Sequence, residues 1–315
     1  RRPDGYVGKP AEAGTDVFAM DNGASSSVIP NFDSGFPVDF AMDKSISSSN
    51  WDQCARLIQG SYLQTNNNNA EGTLASLGAF DSNVGWQRAG YDSSWYSWMW
   101  KRGQGCDVVA FQGVATDPGP DYAHSLGQVP ELKILKRRNG GSDWMTTGTV
   151  VSQAAAGNNN SKDYFMKFNT SDAASNNANY WTGGNDTSTH FTVRHGNSNM
   201  GGANNPFLCL LFASVTGISK VGHYAGNGTV GHEITGFGFQ PRFIIIKSTS
   251  TISDWIVFDT LRGWGSGNDK LLKINQNQAQ IDYEYGAPTS DGFTIAITGT
   301  AMNGNGEKYI YYAHA

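Results

Sequence analysis

Charge is scarce in this chain: of 315 residues only 16% are Asp, Glu, Lys or Arg, and the net charge is −5. Binding phosphates needs a concentrated basic face. The one basic cluster, Lys136-Arg137-Arg138, reads as a solvated strand end, so nucleic acid is not an expected partner. Three cysteines, Cys54, Cys106 and Cys209, show no CxxC spacing and make an odd total. That argues against a disulfide framework and a thiolate zinc site, and buried free thiols are expected. No apolar run approaches the ~18 residues of a membrane span, and the first residues do not resemble a signal peptide.

The signatures of catalysis are missing as well. Six histidines include no HxH or HExxH arrangement. There is no GxSxG elbow, P-loop or dinucleotide fingerprint, and Gly-x-Gly pieces such as Gly236-Phe237-Gly238 are turn chemistry. Glycoside hydrolysis needs two opposed carboxylates. Asp254 and Asp259 flank one strand and Asp282 and Glu284 alternate on another, which reads as exposed strand face. The oxygen-rich 265–269 and 185–187 loops lack a calcium-loop spacing. No catalytic residue, metal site or cofactor is therefore expected.

What is present is 39 Gly, 9 Trp and connecting segments crowded with Asn, Ser and Thr, the composition of a turn-rich β protein. One motif is written three times. From anchoring Gly35, Gly127 and Gly238 a charged residue follows at four (Asp39, Glu131, Arg242) and Phe40, Leu132 or Phe243 at five. Met42, Ile134 or Ile245 follows at seven, Lys44, Lys136 or Lys247 at nine, and Trp51, Trp144 or Trp255 at sixteen or seventeen. These are three diverged copies of one unit. Positions five and seven share a strand face by the period of two, and in the third copy Ile244 and Ile246 predict cover on both faces. The Trp is expected in the core.

A later strand ends in Asn66, Asn169 or Asn275, expected to close a local side-chain-to-backbone turn. Each copy closes on its most apolar strand, around Trp98, Leu208 or Ile310. Six or seven short strands per copy, with no helical stripe, predict an all-β chain of three tandem β-sandwich, jelly-roll-like repeats of about 100 residues. A single propeller ranks second because it needs at least four blades. The expected divisions are an arm or linker at 1–15 and repeats at 16–106, 107–219 and 220–315.

Several stretches also resemble a known repeat family: Arg2-Pro3-Asp4-Gly5-Tyr6-Val7-Gly8, Ser34-Gly35-Phe36-Pro37-Val38-Asp39-Phe40, Ser97-Trp98-Met99-Trp100-Lys101-Arg102, Leu211-Phe212-Ala213-Ser214-Val215-Thr216-Gly217 and Tyr309-Ile310-Tyr311-Tyr312-Ala313-His314-Ala315. It occurs in structural and tail-fibre-like proteins of tailed phages of marine bacteria, cyanophages included, and is known there as a domain of unknown function. The resemblance spans nearly the whole chain and carries no catalytic residues. It implies a non-enzymatic virion protein on the particle surface, a tail fibre or similar appendage, touching other virion proteins and adhering to host-surface polysaccharide. A symmetric homo-oligomer is expected, with a trimer favoured. The alternative is a capsid-decorating or filament-forming protein without a carbohydrate ligand.

Sugars pack their apolar faces on aromatic rings. Aromatics that the repeat does not require are the better ligand candidates, and Trp264, Tyr283 and Tyr285 of the third copy lack counterparts in the others. With Asn268 of the same Gly-rich loop they form the candidate glycan contacts. The 66–69 loop and the Asn-rich 176–185 segment also differ between copies.

Overall fold

The anchoring glycines all take left-handed φ, 74° at Gly35, 68° at Gly127 and 74° at Gly238, which explains why all three copies carry Gly there. The computed structural model describes residue 11 and residues 13–24, 28–74, 78–117, 119–157, 164–177, 180, 186–194, 197–265 and 267–315. Of the expected arm, residues 1–10 and 12 lie outside the described residues, and Gly14–Asp16 form a 3-10 turn.

The chain is all-β in character, and each repeat builds a six-stranded antiparallel sheet with one strand order. In repeat one the order in space is Phe18–Asn22, Trp95–Trp100, Phe40–Ser45, Asp52–Ala55, Ser61–Gln64, Gly72–Thr73. Repeat two runs Cys106–Gln112, Pro206–Phe212, Leu132–Arg137, Met145–Thr147, Tyr164–Lys167, Ser175–Asn176. Repeat three runs Ser219–Ala225, Lys308–His314, Phe243–Ser248, Ile256–Asp259, Asp269–Lys273, Ile281–Tyr283. Cys106 and Ser219 thus each begin the following repeat, one residue earlier than the expected divisions. A smaller sheet faces each large one, made in repeat three of His232–Thr235, Gly292–Ile295 and Pro288–Thr289. The first strand pairs with the last in every repeat, as in a folded-over jelly-roll ribbon, and the inner strands run as a meander.

Positions five and seven do share a face, and what they face is the other repeats. Phe40, Met42, Leu132, Ile134, Phe243 and Ile245 lie in one buried cluster with Trp98, Trp100, Leu208, Leu210, Phe212, Ile310 and Tyr312. The three large sheets therefore enclose a common core with their inner faces. Their outer faces close separate cores against the smaller sheets, among them Trp86 with Met99, Phe191 with Leu211, and Phe293 with Tyr311. In repeat three Ile244 and Ile246 fill the outer core, so that strand is covered on both sides.

Hydrogen bonds around this core run in a closed ring. Trp51 Nε1 donates to Lys273 O at 2.8 Å, Trp144 Nε1 to Gln64 O at 2.9 Å and Trp255 Nε1 to Lys167 O at 2.9 Å. Each repeat thus donates to the one before it, and the first donates to the third. Backbone bonds follow the same cycle: Ser142 N to Asn68 O, Ser253 N to Ser171 O and Ser49 N to Asn277 O, all at 2.9 Å. Each bond contributes only about 1 kcal/mol net. Several aromatic side chains buried at under 2% exposure outweigh them. The core supplies the energy and the bonds set which edges meet.

Three expectations are corrected here. Asn66, Asn169 and Asn275 do not close local turns: each Oδ1 accepts from the backbone N–H of Trp51, Trp144 or Trp255 at 2.9 Å, pinning a neighbouring strand. Lys136 is no solvated strand end. Like Lys44 and Lys247 it is fully buried, and backbone carbonyls at 2.7–2.8 Å hold each ammonium: Ser49 O for Lys44, Arg137 O for Lys136 and Ser248 O for Lys247. Burial pulls all three down to about 8. Thirdly, repeat two carries an α-helix, Thr149–Ala156, ended by Gly157 at φ 69°. Its Val150 and Val151, β-branched residues that favour strands, lie buried in the shared core. The cysteines are buried free thiols, as expected.

Replacing Trp144 by Phe removes one bond of the ring and leaves Gln64 O with only the long 3.5 Å bond from Asn67 N. It is expected to lower stability by about 2–4 kcal/mol, read as a shift in urea midpoint with unchanged slope. A loss within about 0.5 kcal/mol would contradict the role given to the indole N–H.

Candidate functional site

The four candidate contacts do not stay together. Trp264 is a core residue, 5% exposed, packed on Phe258 at 6.0 Å and Phe293 at 6.3 Å between ring centroids. Its faces are covered, so it corrects to a packing role. Asn268 is exposed beside the strand that carries Lys270, outside the groove described next. Tyr283 and Tyr285 are brought together: their rings meet edge to face at 5.4 Å and 68°, with Tyr283 58% exposed.

Both tyrosines line an open groove of about 620 Å³ with Val230, Ile281, Asp282, Ala296, Ile297, Thr298 and Gly299. It lies where the last strand of the large sheet passes the end of the smaller one. Asp269 fixes that junction: its Oδ1 accepts from Gly265 N at 2.8 Å and its Oδ2 from Tyr285 N at 2.7 Å and Gly286 N at 3.0 Å. Gly286 must be Gly, because a Cβ there would meet Thr294 O at 2.0 Å. With both oxygens so used, Asp269 closes the 265–269 loop rather than offering ligands to a cation. Asp186 of the other oxygen-rich loop is paired with buried Lys133. The described residues hold no group of three metal-ligating side chains.

Among the described residues, the edge strand of the groove has no like counterpart in the other repeats. By strand register, Ile281 and Tyr283 stand where repeat one has Gly72 and Leu74 and repeat two has Ser175 and Asn177. Of the carboxylates weighed for glycoside chemistry, Asp254 pairs with Lys273 at 2.8 Å, Asp259 with Arg262 at 2.7 Å, and Asp282 with Lys270. The 66–69 loop is a joint between repeats, since Asn68 O accepts from Ser142 N and Lys136 Nζ. In the 176–185 segment, residues 178, 179 and 181–185 lie outside the described residues.

Residues 13–315 match the profile of a domain of unknown function, DUF7483. The chain belongs to that family. No curated protein matches it.

A second departure from the repeat in this DUF7483 chain went unread in the sequence. In the outer core of repeat one, Asp43 and Asp52 face each other across paired strands, where repeat two has Leu135 opposite Met145 and repeat three Ile246 opposite Ile256. Arg88 lies between them, bonded to Asp52 and 3.9 Å from Asp43, and stacks over Tyr62 and Tyr91 at 5.6 and 4.9 Å. Tyr91 Oη also donates to Asp52 at 3.3 Å. Neither oxygen of Asp43 accepts a hydrogen bond among the described residues. Burial pushes Asp43 up to about 8, against the pull of Arg88 and with the push of Asp52. Comparing the copies at offset eight from the anchoring Gly, Asp against Leu and Ile, is the signal that would have found it.

Because the folded protein holds the Asp43 proton more tightly than the unfolded chain does, this group makes stability fall as pH rises from about 4 to about 8. Asp43→Asn removes that dependence. The variant is expected to exceed the parent in urea midpoint at about pH 9, with the advantage shrinking toward pH 4. An advantage that does not vary with pH would contradict the assignment.

Proposed function

We propose that the chain is a non-enzymatic structural protein on the exterior of a phage virion, a tail fibre or a comparable appendage, that adheres to glycans of the host surface. The observation that carries the adhesive part is the groove of repeat three. It sets an exposed, ring-braced tyrosine and apolar walls at a place where the shared architecture requires none. The structural part is supported by the segments that resemble phage tail-fibre-like repeats and by a fold whose three repeats are locked together.

The apolar closing strand of each copy has two faces to cover. Those strands cover one another inside one chain: Trp98, Trp100, Leu210 and Tyr312 share a single core. The unit we propose is accordingly one chain that already carries a threefold form, joined to other virion proteins by its outer surfaces.

Antibody labelling of intact particles is expected to mark an exterior appendage, and the purified protein is expected to compete with particles for adsorption to cells. Labelling of the capsid shell with no effect on adsorption would favour a capsid-decorating role without a carbohydrate ligand. Absence from the particle would overturn both.

A further inference from the structure

Resting on the adhesive reading above, the chemistry of the groove goes one step further: we propose that it takes an uncharged pyranose residue of a glycan, seated with its apolar face on Tyr283. The groove's size, about 620 Å³, suits a ligand of a few sugar rings, since small-molecule sites span about 300–1,000 Å³. Its walls carry the stacking surface. Tyr283 is 58% exposed and braced edge to face by Tyr285, while Val230, Ile281 and Ile297 supply apolar contact on either side. Ordering a braced ring costs little side-chain entropy.

Charge decides between sugars. The lining includes one acidic residue, Asp282, and no Lys, Arg or His. Lys270, beside it on the paired strand, already bonds that carboxylate. Glu284, exposed between the two tyrosines, adds a second negative charge. A uronate or a sulfated sugar would bring like charge against Asp282 with no free cation to receive it. Sugar hydroxyls can instead find partners in the Thr298 hydroxyl and in the backbone of Gly299 and of the Ile281–Tyr283 edge strand. Because Tyr283 has no counterpart in repeats one and two, there is one such site per chain.

The test is calorimetric titration of the full chain with a neutral hexose oligosaccharide and with a uronate oligosaccharide of the same length, alongside Tyr283→Ala and Asp282→Asn. Both substitutions are on an exposed edge and leave the cores untouched. The parent is expected to bind the neutral sugar at one site and the uronate at least tenfold more weakly. Tyr283→Ala should weaken neutral binding at least about tenfold, the ~1.4 kcal/mol of a modest hot spot. Asp282→Asn releases Lys270 and should narrow the gap between the two sugars. A parent that prefers the uronate, or a Tyr283→Ala chain that binds like the parent, overturns the proposal. If the parent binds host cells but only anionic sugars, the sugar class falls and adhesion stands. If it binds neither cells nor sugars, both fall.

Discussion

A buried indole has one N–H to satisfy, and the Trp that follows the anchored strand in each repeat satisfies it with a carbonyl of another repeat. Trp51, Trp144 and Trp255 make the same bond in the same direction, and the third closes on the first. Three like units linked head to tail either close or run on as a filament; here the cycle closes within one polypeptide. The closure depends on inner sheet faces that are apolar in all three copies, and these supply most of the free energy. Two of the three equivalent buried lysines follow the same cycle, Lys136 reaching Asn68 O of repeat one and Lys247 reaching Ser171 O of repeat two.

This arrangement divides the sequence into positions held by the ring and positions released from it. Inner-face residues vary only among apolar types with few exceptions, such as Gln53, which stands opposite Met42. Outer faces diverge freely. Repeat three fills its outer core with Ile, Phe and Tyr, repeat two buries the Lys133–Asp186 pair, and repeat one buries Asp43, Asp52 and Arg88. A buried ion pair seldom adds net stability over apolar residues of like volume. The cluster in repeat one is thus tolerated by the fold, and the copies show that it is not needed. The groove of repeat three arises in the same way, at an edge strand where Tyr283 stands in the place of Leu74 in repeat one and Asn177 in repeat two.

Much of the fold was legible in the sequence because it repeats. Period-two alternation named the inner-face residues, and the thrice-written Trp was rightly assigned to the core. What sequence could not show was that three sandwiches share one interior, because the bonds that say so link residues far apart, as with Trp51 and Lys273. Lys136 looked solvated since sequence shows its charge and not the carbonyls around it. The Val150-Val151 pair has strand propensity, overridden by packing onto the core. Of the candidate contacts, Tyr283 and Tyr285 were found by their absence from the other copies. The same reasoning misplaced Trp264, whose ring fills space between Phe258 and Phe293. The apolar wall residues Val230 and Ile297 come together because His232–Thr235 pairs with Gly292–Ile295 in the smaller sheet.

If the three repeats do share one core, they unfold together. Differential scanning calorimetry of the whole chain tests this most directly. At about 0.7 kcal/mol per residue near 60 °C, cooperative unfolding of all 315 residues absorbs about 220 kcal/mol, and a single repeat only about a third of that. The account predicts one transition whose van't Hoff enthalpy equals the full calorimetric value. Two or three separable transitions, or a van't Hoff enthalpy near 70 kcal/mol, would mean that the repeats are independent domains and that the ring does not bind them.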